Sequence, residues 1–560
     1  MTDAAARPLT LLWESLPEPI LDRLRLGFTG KRHLLDLAGR VLESGDPILR
    51  AIGSDALCTA FAENPLDGAL AADLLAIDTT RALIPEPTRA VMRAVADNWQ
   101  RPDAPDYFAL LPERDFPAIL RRIEQGVAAE PNNLFWREQA FSLGLIDNAP
   151  DWVEAQTSLP LLSGIEPVRD NVAASIALHK GRHHEAARLF EATGEAFGPC
   201  YAAMRSGLAM LTAGDSGSAH LLLLQTLARA PWNASLLLRV HDLLAGWDAQ
   251  QKPLNGSVAI LLYSWNKAVE LDATLRSLFE SELSGASVFV LDNGSTDQTP
   301  DILESWQARF ENHLGKGRFT SIRLPVNIGA PAARNWLMQL DAVTRHDFAC
   351  YLDDDVILPQ DWLLRLGSAV LQYPDAGVWG CKVSDHANPA MIQSADAHLL
   401  ADPDEPPSDL THTEPNPFRL SNLHIQTFDT GLFDFMRPCA SVTGCCHLFR
   451  TPALLASGGF ALQLSPTQYD DMEHDLRLCE AGTFAVYQGH LTVHHKKRSG
   501  AASRVAGPAM GNALANKYKM QTMHDRQAIL DATRREQELL AADLHHKCRV
   551  VEQALLQWAE

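Results

Sequence analysis

FACYLDDD, residues 348–355, is a short apolar run that ends in three adjacent carboxylates. An apolar run of this length, bounded by polar residues, is typical of a buried strand. Three neighbouring carboxylates at the end of such a strand repel one another, and a divalent cation relieves that repulsion; their hard oxygen ligands suit Mg²⁺ or Mn²⁺. A solvated acidic turn is the alternative, but apolar residues resume directly in Val356–Leu358. The stretch therefore predicts a strand whose end binds a metal ion.

The sequence around this strand alternates short apolar runs with helical patterns. The other runs are Ser257–Tyr263, Ser287–Leu291 and Phe319–Leu324, and helical patterns cover Glu270–Glu282 and Pro300–Phe310. Such alternation predicts right-handed crossovers and a mostly parallel sheet, so we expect a Rossmann-like α/β fold. Ligands of these sheets bind beyond the carboxyl ends of the strands.

Polar residues stand at the ends of the first two of these runs. The turn YSWNK, residues 263–267, joins a strand to a helix and can hold a base or ribose through backbone groups and an aromatic face. An ordinary turn is the alternative. Asp292 opens the stretch DNGSTDQT, residues 292–299, and can accept hydrogen bonds from a base imide or from ribose hydroxyls. The residues that follow Asp292 are also those that turns and helix caps favour.

Two later segments carry further candidates. NIGAPAARN, residues 327–335, follows a strand and opens a helix whose N-terminal amides could face a nucleotide, although Gly329 also fits a purely structural turn. In DDMEHDLR, residues 470–477, one carboxylate could act as a general base on an acceptor hydroxyl. If this segment is helical, Asp471 and Asp475 share a face, so a capping or salt-linked structural role is the alternative.

Histidines and a basic run follow near the end of this domain. His494 and His495 immediately precede Lys496–Arg498. An imidazole from either histidine could complete a metal shell, and the basic residues could meet a diphosphate. Histidines without any ligand are the alternative.

Residues 1–250 have a different pattern, with apolar residues at three- and four-residue spacing that predict an all-helical domain. One set of residues recurs 33 positions later, as Gly181, Ala186 and Phe190 and then as Gly214, Ala219 and Leu223. This resembles the tetratricopeptide repeat, whose period is about 34 residues. A weaker third echo is the helix from Phe116 that ends at residues 130–133. An irregular helical bundle is the alternative.

The polar linker QQKPLNG, residues 250–256, separates this region from the α/β domain, so the predicted domains are 1–250, 251–500 and 501–560. The last of these is predicted to be helical. One helix face there carries the apolar residues Leu540, Leu544, Cys548, Val551, Leu555 and Trp558. Such a stripe packs on its own domain or forms the seam of a homodimer.

The composition excludes several classes of protein. With 48 Lys+Arg against 69 Asp+Glu among 560 residues, the net charge of −21 repels phosphate backbones and makes nucleic acid a poor partner. No apolar run reaches the roughly 20 residues of a membrane span, and Met1–Thr10 shows no secretory signal. The nine cysteines lack paired spacing, and the adjacent Cys445 and Cys446 fit a buried strand. We therefore expect a cytoplasmic location.

Between residues 257 and about 498, the order of these motifs resembles that of family 2 glycosyltransferases, which have the GT-A fold. The resemblance implies that Asp353 and Asp355 are the ends of the family's D-x-D, the last binding the metal and the first lying toward sugar and ribose. It also implies that Asp471 is the catalytic base, although Asp470 replaces the family's glutamate. The donor-binding residues that it implies are Ser264, Asn266, Asp292, Asn327, Gly329, Arg334 and Asp353.

The same resemblance implies that His494 or His495 matches the metal-binding histidine of some GT-A enzymes, but the spacing does not choose between them. Tyr263 stands where a proline is common and Trp265 where a tyrosine is common, which leaves the preference for a base open. The sequence has no Q-x-x-R-W motif and no membrane span, so it does not resemble the processive synthases. A single sugar transfer is the expectation.

The implied reaction is direct displacement at the anomeric carbon with inversion. In it Mn²⁺ or Mg²⁺ stabilises the leaving diphosphate and Asp471 takes the proton of the acceptor. The polar stretch Ser384–Arg437 is where an acceptor-binding insertion would lie, and a surface excursion is the alternative. Because helical repeats present concave surfaces suited to peptides, we expect a protein or surface-glycan acceptor bound through the helical domain.

Two other functions remain as alternatives. The first is an interaction scaffold whose transferase domain binds a nucleotide but turns over weakly. The second is a nucleotidyltransferase, which would need a glycine-rich, basic phosphate loop after the first strand. Residues 263–267 contain no glycine, which disfavours the second alternative.

Overall fold

The structure is a computed structural model that describes residues 8–158, 163–283, 285–400, 418–503 and 508–559. In these residues a long helical region is followed by an α/β domain and then by two C-terminal helices. The fold class predicted from the sequence is confirmed. Within the same residues, no helix is both long enough and apolar enough to cross a membrane.

The described part of the helical region contains sixteen helices, and several of them begin at a capping carboxylate or amide. Asp46, for example, accepts hydrogen bonds from the N–H groups of Ile48 and Leu49. The helices are α1 (Leu9–Ser15), α2 (Glu18–Leu24), α3 (Lys31–Val41), α4 (Pro47–Glu63), α5 (Gly68–Arg81), α6 (Glu86–Asp97), α7 (Pro105–Glu113), α8 (Phe116–Ala129), α9 (Leu134–Ile146), α10 (Pro150–Thr157), α11 (Glu166–His179), α12 (His183–Ala192), α13 (Gly194–Phe197), α14 (Pro199–Thr212), α15 (Ser216–Arg229) and α16 (Ala234–Ala245).

Two turns in this region match each other at the offset seen in the sequence. Gly181 follows α11 with φ of +72°, and Gly214 follows α14 with φ of +89°. Ala186 and Ala219, on the helices that come next, are both fully buried. In each turn the residue after the glycine donates its N–H to the carbonyl five positions earlier, from Arg182 to Ala177 and from Asp215 to Met210. The helix pairs α11/α12 and α14/α15 are therefore locally equivalent, which supports the resemblance to a helical repeat.

The α/β domain begins after the linker and alternates strands with helices in its first half. Its strands are β1 (Val258–Ser264), β2 (Ala286–Asp292), β3 (Phe319–Arg323), β4 (Phe348–Leu352), β5 (Val356–Ile357), β6 (Val378–Asp385), β7 (Met391–Ser394), β8 (Leu399–Leu400), β9 (Arg419–Leu420), β10 (Thr427–Phe428), β11 (Met436–Cys439), β12 (Cys446–Arg450) and β13 (Ala485–His495). Its helices are α17 (Ala268–Phe279), α18 (Thr299–Leu314), α19 (Ala330–Met338), α20 (Trp362–Gln372), α21 (Thr451–Ala456) and α22 (Asp470–Glu480).

The central sheet has the order β10-β7-β6-β12-β4-β1-β2-β3. Strand β1 is parallel to its neighbours β2 and β4, and β3 is parallel to β2. The parallel strands therefore end at one edge, where Ser264, Asp292 and Asp353 come together in space. Strand β12 is antiparallel and lies between β4 and β6.

Strand β13 brings the histidines to the same edge. It pairs in parallel with β6 and, at its end, antiparallel with β5, so that His494 lies opposite Ile357 and His495 opposite Val356. Strand β5 directly follows the acidic triplet, Asp353–Asp355. Its pairing with β13 therefore brings the two histidines close to the triplet, although they are far from it in sequence.

The described parts of the stretch 384–437 are integrated into the protein. Ile392, Leu399, Phe418 and Phe435 are all buried there. A surface excursion is therefore not what these parts form, while residues 401–417 lie outside the described residues. Acceptor binding by this stretch stays a prediction.

The helical region, the α/β domain and the C-terminal helix meet at a set of charged residues that we call the buried charge cluster. Its members are Asp396, His398, His424, Arg437 and Glu536, each no more than 2% exposed. Asp396 Oδ2 accepts from Arg437 Nε (2.6 Å) and lies 2.9 Å from His398 Nε2, and its Oδ1 lies 2.6 Å from His424 Nδ1. His398 Nδ1 lies 2.8 Å from Glu536 Oε1. Arg437 also donates to the carbonyls of Arg25 and Leu26, at the end of α2.

Two helices, α23 (Pro508–Thr522) and α24 (Arg526–Ala559), complete the chain. The predicted stripe residues Leu540, Leu544, Cys548 and Val551 are buried, and α24 packs against α16, α1 and β11. The Trp558 side chain lies outside the described residues. The stripe is therefore covered by the chain itself, and a homodimer through α24 would have to use another face of the helix.

Candidate active site

Asp292 ends β2 and is buried at the edge of the sheet. Its Oδ1 accepts a hydrogen bond from the Ser295 N–H at 2.8 Å, which fixes the carboxylate. Its Oδ2 is buried and accepts no hydrogen bond from the described residues, while Arg323 Nε lies 3.5 Å away. A buried polar atom left without a partner costs about 1–3 kcal/mol. Oδ2 is therefore suited to accept a hydrogen bond from an N–H or O–H group of a ligand.

Three of the predicted donor-binding residues brace the loops beside Asp292. Asn266 Oδ1 accepts from the Thr296 N–H at 2.8 Å, and Asn327 Oδ1 accepts from the Gly329 N–H, also at 2.8 Å. Gly329 has φ of +84°, and a Cβ there would lie 3.1 Å from Ser465 Oγ. The structure thus shows these residues shaping the site, and their contact with a donor stays a prediction.

A lysine partly neutralises the acidic triplet. Lys267 Nζ lies 3.0 Å from Asp354 Oδ1 and 2.8 Å from Asp355 Oδ2. Burial raises the pKa of Asp354 to about 6 in spite of the lysine. Burial opposes ionisation of Asp355 too, but a hydrogen bond from His495 and the charge of Lys267 hold its pKa below the ordinary value. Asp353 is the most accessible member, with 25% of its side chain exposed.

The two predicted histidines point to different sides of β13. His495 Nε2 lies 3.1 Å from Asp355 Oδ1, and its Nδ1 lies 2.8 Å from Gln393 Oε1. His494 Nδ1 instead lies 2.7 Å from Ser384 Oγ. Successive side chains of a strand face opposite ways, which explains the separation. The structure therefore brings His495, and not His494, to the acidic triplet.

Asp353, Cys445 and His495 form a group whose ligand atoms all lie within 4.8 Å of one another. No other trio of His, Cys, Asp or Glu with this spacing occurs in the described residues. One oxygen, one sulfur and one nitrogen at this distance fit a single divalent cation. The sequence predicts a metal role for the aspartate and the histidine but not for the cysteine, which only the pairing of β12 with β4 brings here.

Arg334 links the two halves of the site. It is buried, its Nη1 donates to Asp470 Oδ2 at 2.6 Å, and its Nη2 lies 3.7 Å from Asp353 Oδ1. The rings of Tyr263 and Phe460 pack against the guanidinium at 5.5 and 5.3 Å. Burial opposes the charge, but Asp470 and its other anionic neighbours raise the pKa of Arg334. Arg334 thus lies between Asp353 and the helix that carries Asp471, and its predicted contact with a donor stays a prediction.

Asp471 lies in the first turn of that helix, α22. Its Oδ2 accepts from the Gly444 N–H at 2.7 Å and its Oδ1 from the Met472 N–H at 2.9 Å. Burial would raise the pKa of Asp471, but Arg334, His447 and these two N–H groups lower it. The carboxylate is thus ionised at neutral pH and able to accept a proton.

Two residues near Asp471 have a rare backbone conformation, and a third is tightly packed against it. Gln468 and Tyr469 precede α22 with φ of +80° and +69°, a region that residues other than glycine seldom adopt. At Gly444 an added Cβ would lie 2.6 Å from Asp471 Oδ2 and 2.8 Å from Arg334 Nη2. Such strain is maintained only where the surrounding structure enforces it, and it concentrates at functional sites.

Asp475, one turn further along α22, has the structural role that the sequence left open. Its Oδ2 accepts from Ser441 Oγ at 2.8 Å and from the Val442 N–H at 3.2 Å. Burial raises the pKa of Asp475 well above its ordinary value. The two aspartates lie on one helix face, but their pKa values are shifted in opposite directions: that of Asp471 is lowered and that of Asp475 is raised.

The basic run after β13 faces the helical region in part. Arg498 Nη1 lies 3.4 Å from Asp147 Oδ1, and its Nε lies 3.5 Å from Asp385 Oδ2. Arg114, at the end of α7, donates to the carbonyls of Gly500 and Ser503. The loop that follows His495 is thus held by the helical region, and contact of this run with a diphosphate stays a prediction.

Comparison with known proteins adds an independent finding. The family model "Glycosyl transferase family 2" matches residues 259–452. A search of curated protein sequences finds no match.

Several solved structures are similar to part of the chain. GalNAc-T7, in complex with UDP, GalNAc and Mn²⁺, has 11% identity and a TM-score of 0.35 over 46% of this chain and 45% of that one. TarS of S. aureus has 14% identity and a TM-score of 0.29 over 43% and 36%. The mannosyltransferase PcManGT of Pyrobaculum calidifontis, with GDP-Man and Mn²⁺, has 16% identity and a TM-score of 0.29 over 53% and 69%. This chain spans less than half the length of the first two.

The segment that matches the family model runs from β1 into α21. It carries Asp292, the acidic triplet, Arg334 and Cys445, while Asp471 and His495 follow it in the same α/β domain. Residues 259–452 are therefore similar to glycosyl transferase family 2, the family whose motif order the sequence resembles.

Proposed function

We propose that the chain is a metal-dependent, inverting glycosyltransferase that moves one sugar from a nucleotide-diphosphate sugar to an acceptor hydroxyl. The observation that carries this proposal is the position of Arg334, which pairs with Asp470 beside the base and approaches Asp353 beside the donor. The buried guanidinium of Arg334 thus holds the acceptor side and the donor side of the site at a fixed separation. Fixed positioning of reacting groups is a major source of catalysis.

The donor half is supported by two features. Asp292 Oδ2 is free to accept a hydrogen bond from a base or ribose. Asp353 and His495 would hold the divalent cation, and Asp355 Oδ1, 3.1 Å from His495 Nε2, lies beside the same position. When bound, the cation supplies positive charge that offsets the charge of the diphosphate.

The acceptor half centres on Asp471. The acceptor oxygen attacks the anomeric carbon from the face opposite the diphosphate, and the bond between that carbon and the phosphate oxygen breaks. The configuration at carbon inverts, the nucleoside diphosphate leaves with the bonding electron pair, and Asp471 receives the proton of the acceptor hydroxyl. The N–H groups that hold Asp471 keep its carboxylate ionised and aimed before the reaction.

We propose further that the helical region presents the acceptor, as a protein or a surface glycan. A cavity of about 310 Å³ lies where this region meets the α/β domain. It is lined by α9, α11 and α14 on one side and by residues 426–433 on the other. Gln426, in the second wall, donates to Ser499 Oγ in the loop that follows His495. One hydrogen bond therefore joins a wall of the cavity to the loop that follows His495.

Calorimetry with uridine, guanosine, cytidine and thymidine diphosphates, with and without Mn²⁺, tests the donor site. We expect one nucleotide to bind in a metal-dependent way, and Asp353→Asn and Asp292→Asn to weaken that binding. Asp341→Asn is the matched control, because Asp341 is exposed and precedes the start of β4, whereas the site lies at the carboxyl end of that strand. Binding by no nucleotide would contradict the proposal and favour the scaffold alternative.

A further inference from the structure

Cys445 is a buried free cysteine that the reaction proposed above does not use. Its Sγ lies within 4.8 Å of a carboxylate oxygen of Asp353 and a ring nitrogen of His495. The antiparallel register pairs Cys446 with Leu352, so Cys445 and Asp353 are the next opposing residues, and the Asp353 N–H donates to the Cys445 carbonyl at 3.3 Å. The sheet itself therefore holds the thiol beside the carboxylate.

Gln393 orients the imidazole toward this pair. Its Nε2 donates to the Lys497 carbonyl at 2.9 Å, which leaves its Oε1 to face His495 Nδ1 at 2.8 Å. Because Oε1 can only accept, Nδ1 must carry a hydrogen, and Nε2, which lies 3.1 Å from Asp355 Oδ1, is the nitrogen that would give up its hydrogen to bind a metal. A polar group that fixes the tautomer in this way is typical of metal-binding histidines. Gln393 is itself buried, so this orientation is maintained.

We propose that Cys445 is a third protein ligand of the donor-site cation, together with Asp353 and His495. This inference rests on the proposed function, because the cation is the one that reaction needs. A thiolate ligand would also change which metal ion the site prefers. A thiolate and an imidazole favour borderline or soft cations such as Zn²⁺ and Co²⁺, whereas carboxylate oxygens alone suit Mg²⁺ and Mn²⁺.

Affinity for almost any site of nitrogen, oxygen and sulfur ligands rises from Mn²⁺ toward Zn²⁺. A preference for Co²⁺ over Mg²⁺ in the natural chain therefore does not identify the thiolate. The thiolate is identified by the change in that preference in the Cys445→Ser variant, because serine keeps the size of the side chain and removes the soft ligand.

The experiment is a titration of the full chain with Co²⁺, followed by absorption. Thiolate-bound Co²⁺ gives a near-ultraviolet charge-transfer band that oxygen and nitrogen ligands do not give. We expect the band in the natural chain and in Cys200→Ser, a half-buried cysteine of α14 that serves as the control, and its loss in Cys445→Ser. The Co²⁺ Kd should rise on the order of tenfold or more, as removal of groups at metal sites generally causes. The Mg²⁺ Kd should change far less.

A second measurement on the natural chain does not depend on the variant folding. Co²⁺ or Zn²⁺ should protect Cys445 from alkylation, measured by mass spectrometry, and should leave Cys200 unprotected. A charge-transfer band that persists in a folded Cys445→Ser chain, or alkylation of Cys445 that is indifferent to metal, would overturn the proposal.

The outcomes also separate this inference from the proposed function. Mn²⁺-dependent nucleotide binding that is equal in the natural chain and in Cys445→Ser, without a cobalt–thiolate band, removes only the role of Cys445. A cobalt–thiolate band in a chain that binds no nucleotide with any metal supports the metal site and removes the glycosyltransferase proposal.

Discussion

The active site and the buried charge cluster are both built from carboxylates, histidines and an arginine, but they use these groups differently. In the buried charge cluster nearly every polar atom has a partner, and among the described residues only His424 Nε2 lacks one. In the active site Asp292 Oδ2 has no hydrogen-bond partner, and Asp353 is a quarter exposed. The first set joins three parts of the chain, and the second leaves atoms for a ligand.

Charge alone therefore does not mark a functional site in this protein. A buried ion pair that is fully satisfied is costly to break but adds little over an apolar contact. A charge left incompletely paired lowers stability and is kept where chemistry requires it. The two sets should therefore respond oppositely to mutation, the first in stability and the second in activity.

The largest expected effect is on catalysis, through Asp471→Asn. In the proposed reaction this variant lacks the proton acceptor but keeps the size of the side chain, so we expect transfer to fall by about 10²- to 10⁴-fold, the range for loss of a general base. Metal-dependent nucleotide binding and the unfolding midpoint should stay near those of the natural chain. The measurement is the initial rate of sugar transfer at saturating donor.

Asp475→Asn is the matched control for that variant. Burial raises the pKa of Asp475 well above its ordinary value, and an amide keeps an oxygen that can accept from Ser441 Oγ. We expect a transfer rate within a few-fold of the natural one. Equal loss of transfer in both variants, or in neither, would contradict the assignment of Asp471 as the base.

The next effect is on stability, through Asp396→Ala in the buried charge cluster. Removal of this carboxylate leaves Arg437 buried without its ion pair, which should lower the free energy of unfolding by about 3–5 kcal/mol. Urea unfolding followed by fluorescence gives the value. Asp353→Ala, in the candidate active site, should lose nucleotide binding with little loss of stability, and the reverse pattern would contradict this division of roles between the two sets of charges.

The sequence predicts the sheet well because its signals are local. The run 348–352 is recovered as β4 without change, and β1 and β2 differ from their predicted bounds by one residue at each end. The sequence also identifies Asp292, whose free oxygen lies at the predicted edge. Each of these features depends on residues close together in the chain.

The features that the sequence does not reveal depend on pairing between distant strands. The insertion of β12 between β4 and β6 brings Cys445 to Asp353, and the pairing of β7 with β6 brings Gln393 to His495. Neither pairing can be predicted locally, because the residues of an antiparallel strand do not specify which strand it pairs with. Lys267 stands in a quoted motif, yet its ion pairs with the acidic triplet also appear only in the folded chain.

A smaller effect is expected for Gly444→Ala. The new Cβ would approach Asp471 Oδ2 to 2.6 Å and Arg334 Nη2 to 2.8 Å, so the carboxylate must shift. Displacement of a catalytic group by about 1 Å can cost up to roughly 10²-fold in rate, so we expect kcat to fall by at least about tenfold. Gly39→Ala is the control, because a Cβ at this position of α3 meets no atom within 4 Å. An unchanged kcat in Gly444→Ala would show that the packing around Asp471 does not limit catalysis.

The smallest effect concerns the pH dependence of stability and His398. Burial and Arg437 lower the pKa of His398, but Asp396 and Glu536 outweigh them and raise it above the ordinary value. A raised pKa means that the protonated imidazole stabilises the folded chain fully below about pH 6.5, the unfolded value, and loses this contribution as pH rises through the folded value. The urea midpoint of the natural chain should therefore fall as pH rises above 6.5, more steeply than that of His398→Gln.

His424 faces the same carboxylate, so His424→Gln is measured beside His398→Gln. If His398 carries the effect, His424→Gln keeps the pH slope of the natural chain and His398→Gln loses it. The same slope in all three proteins would show that His398 does not change its charge with folding. Nucleotide binding should be unaffected in either case, because no hydrogen bond or ion pair joins the described residues of the site to this cluster. Nucleotide binding by His398→Gln at pH 6.5 tests that separation.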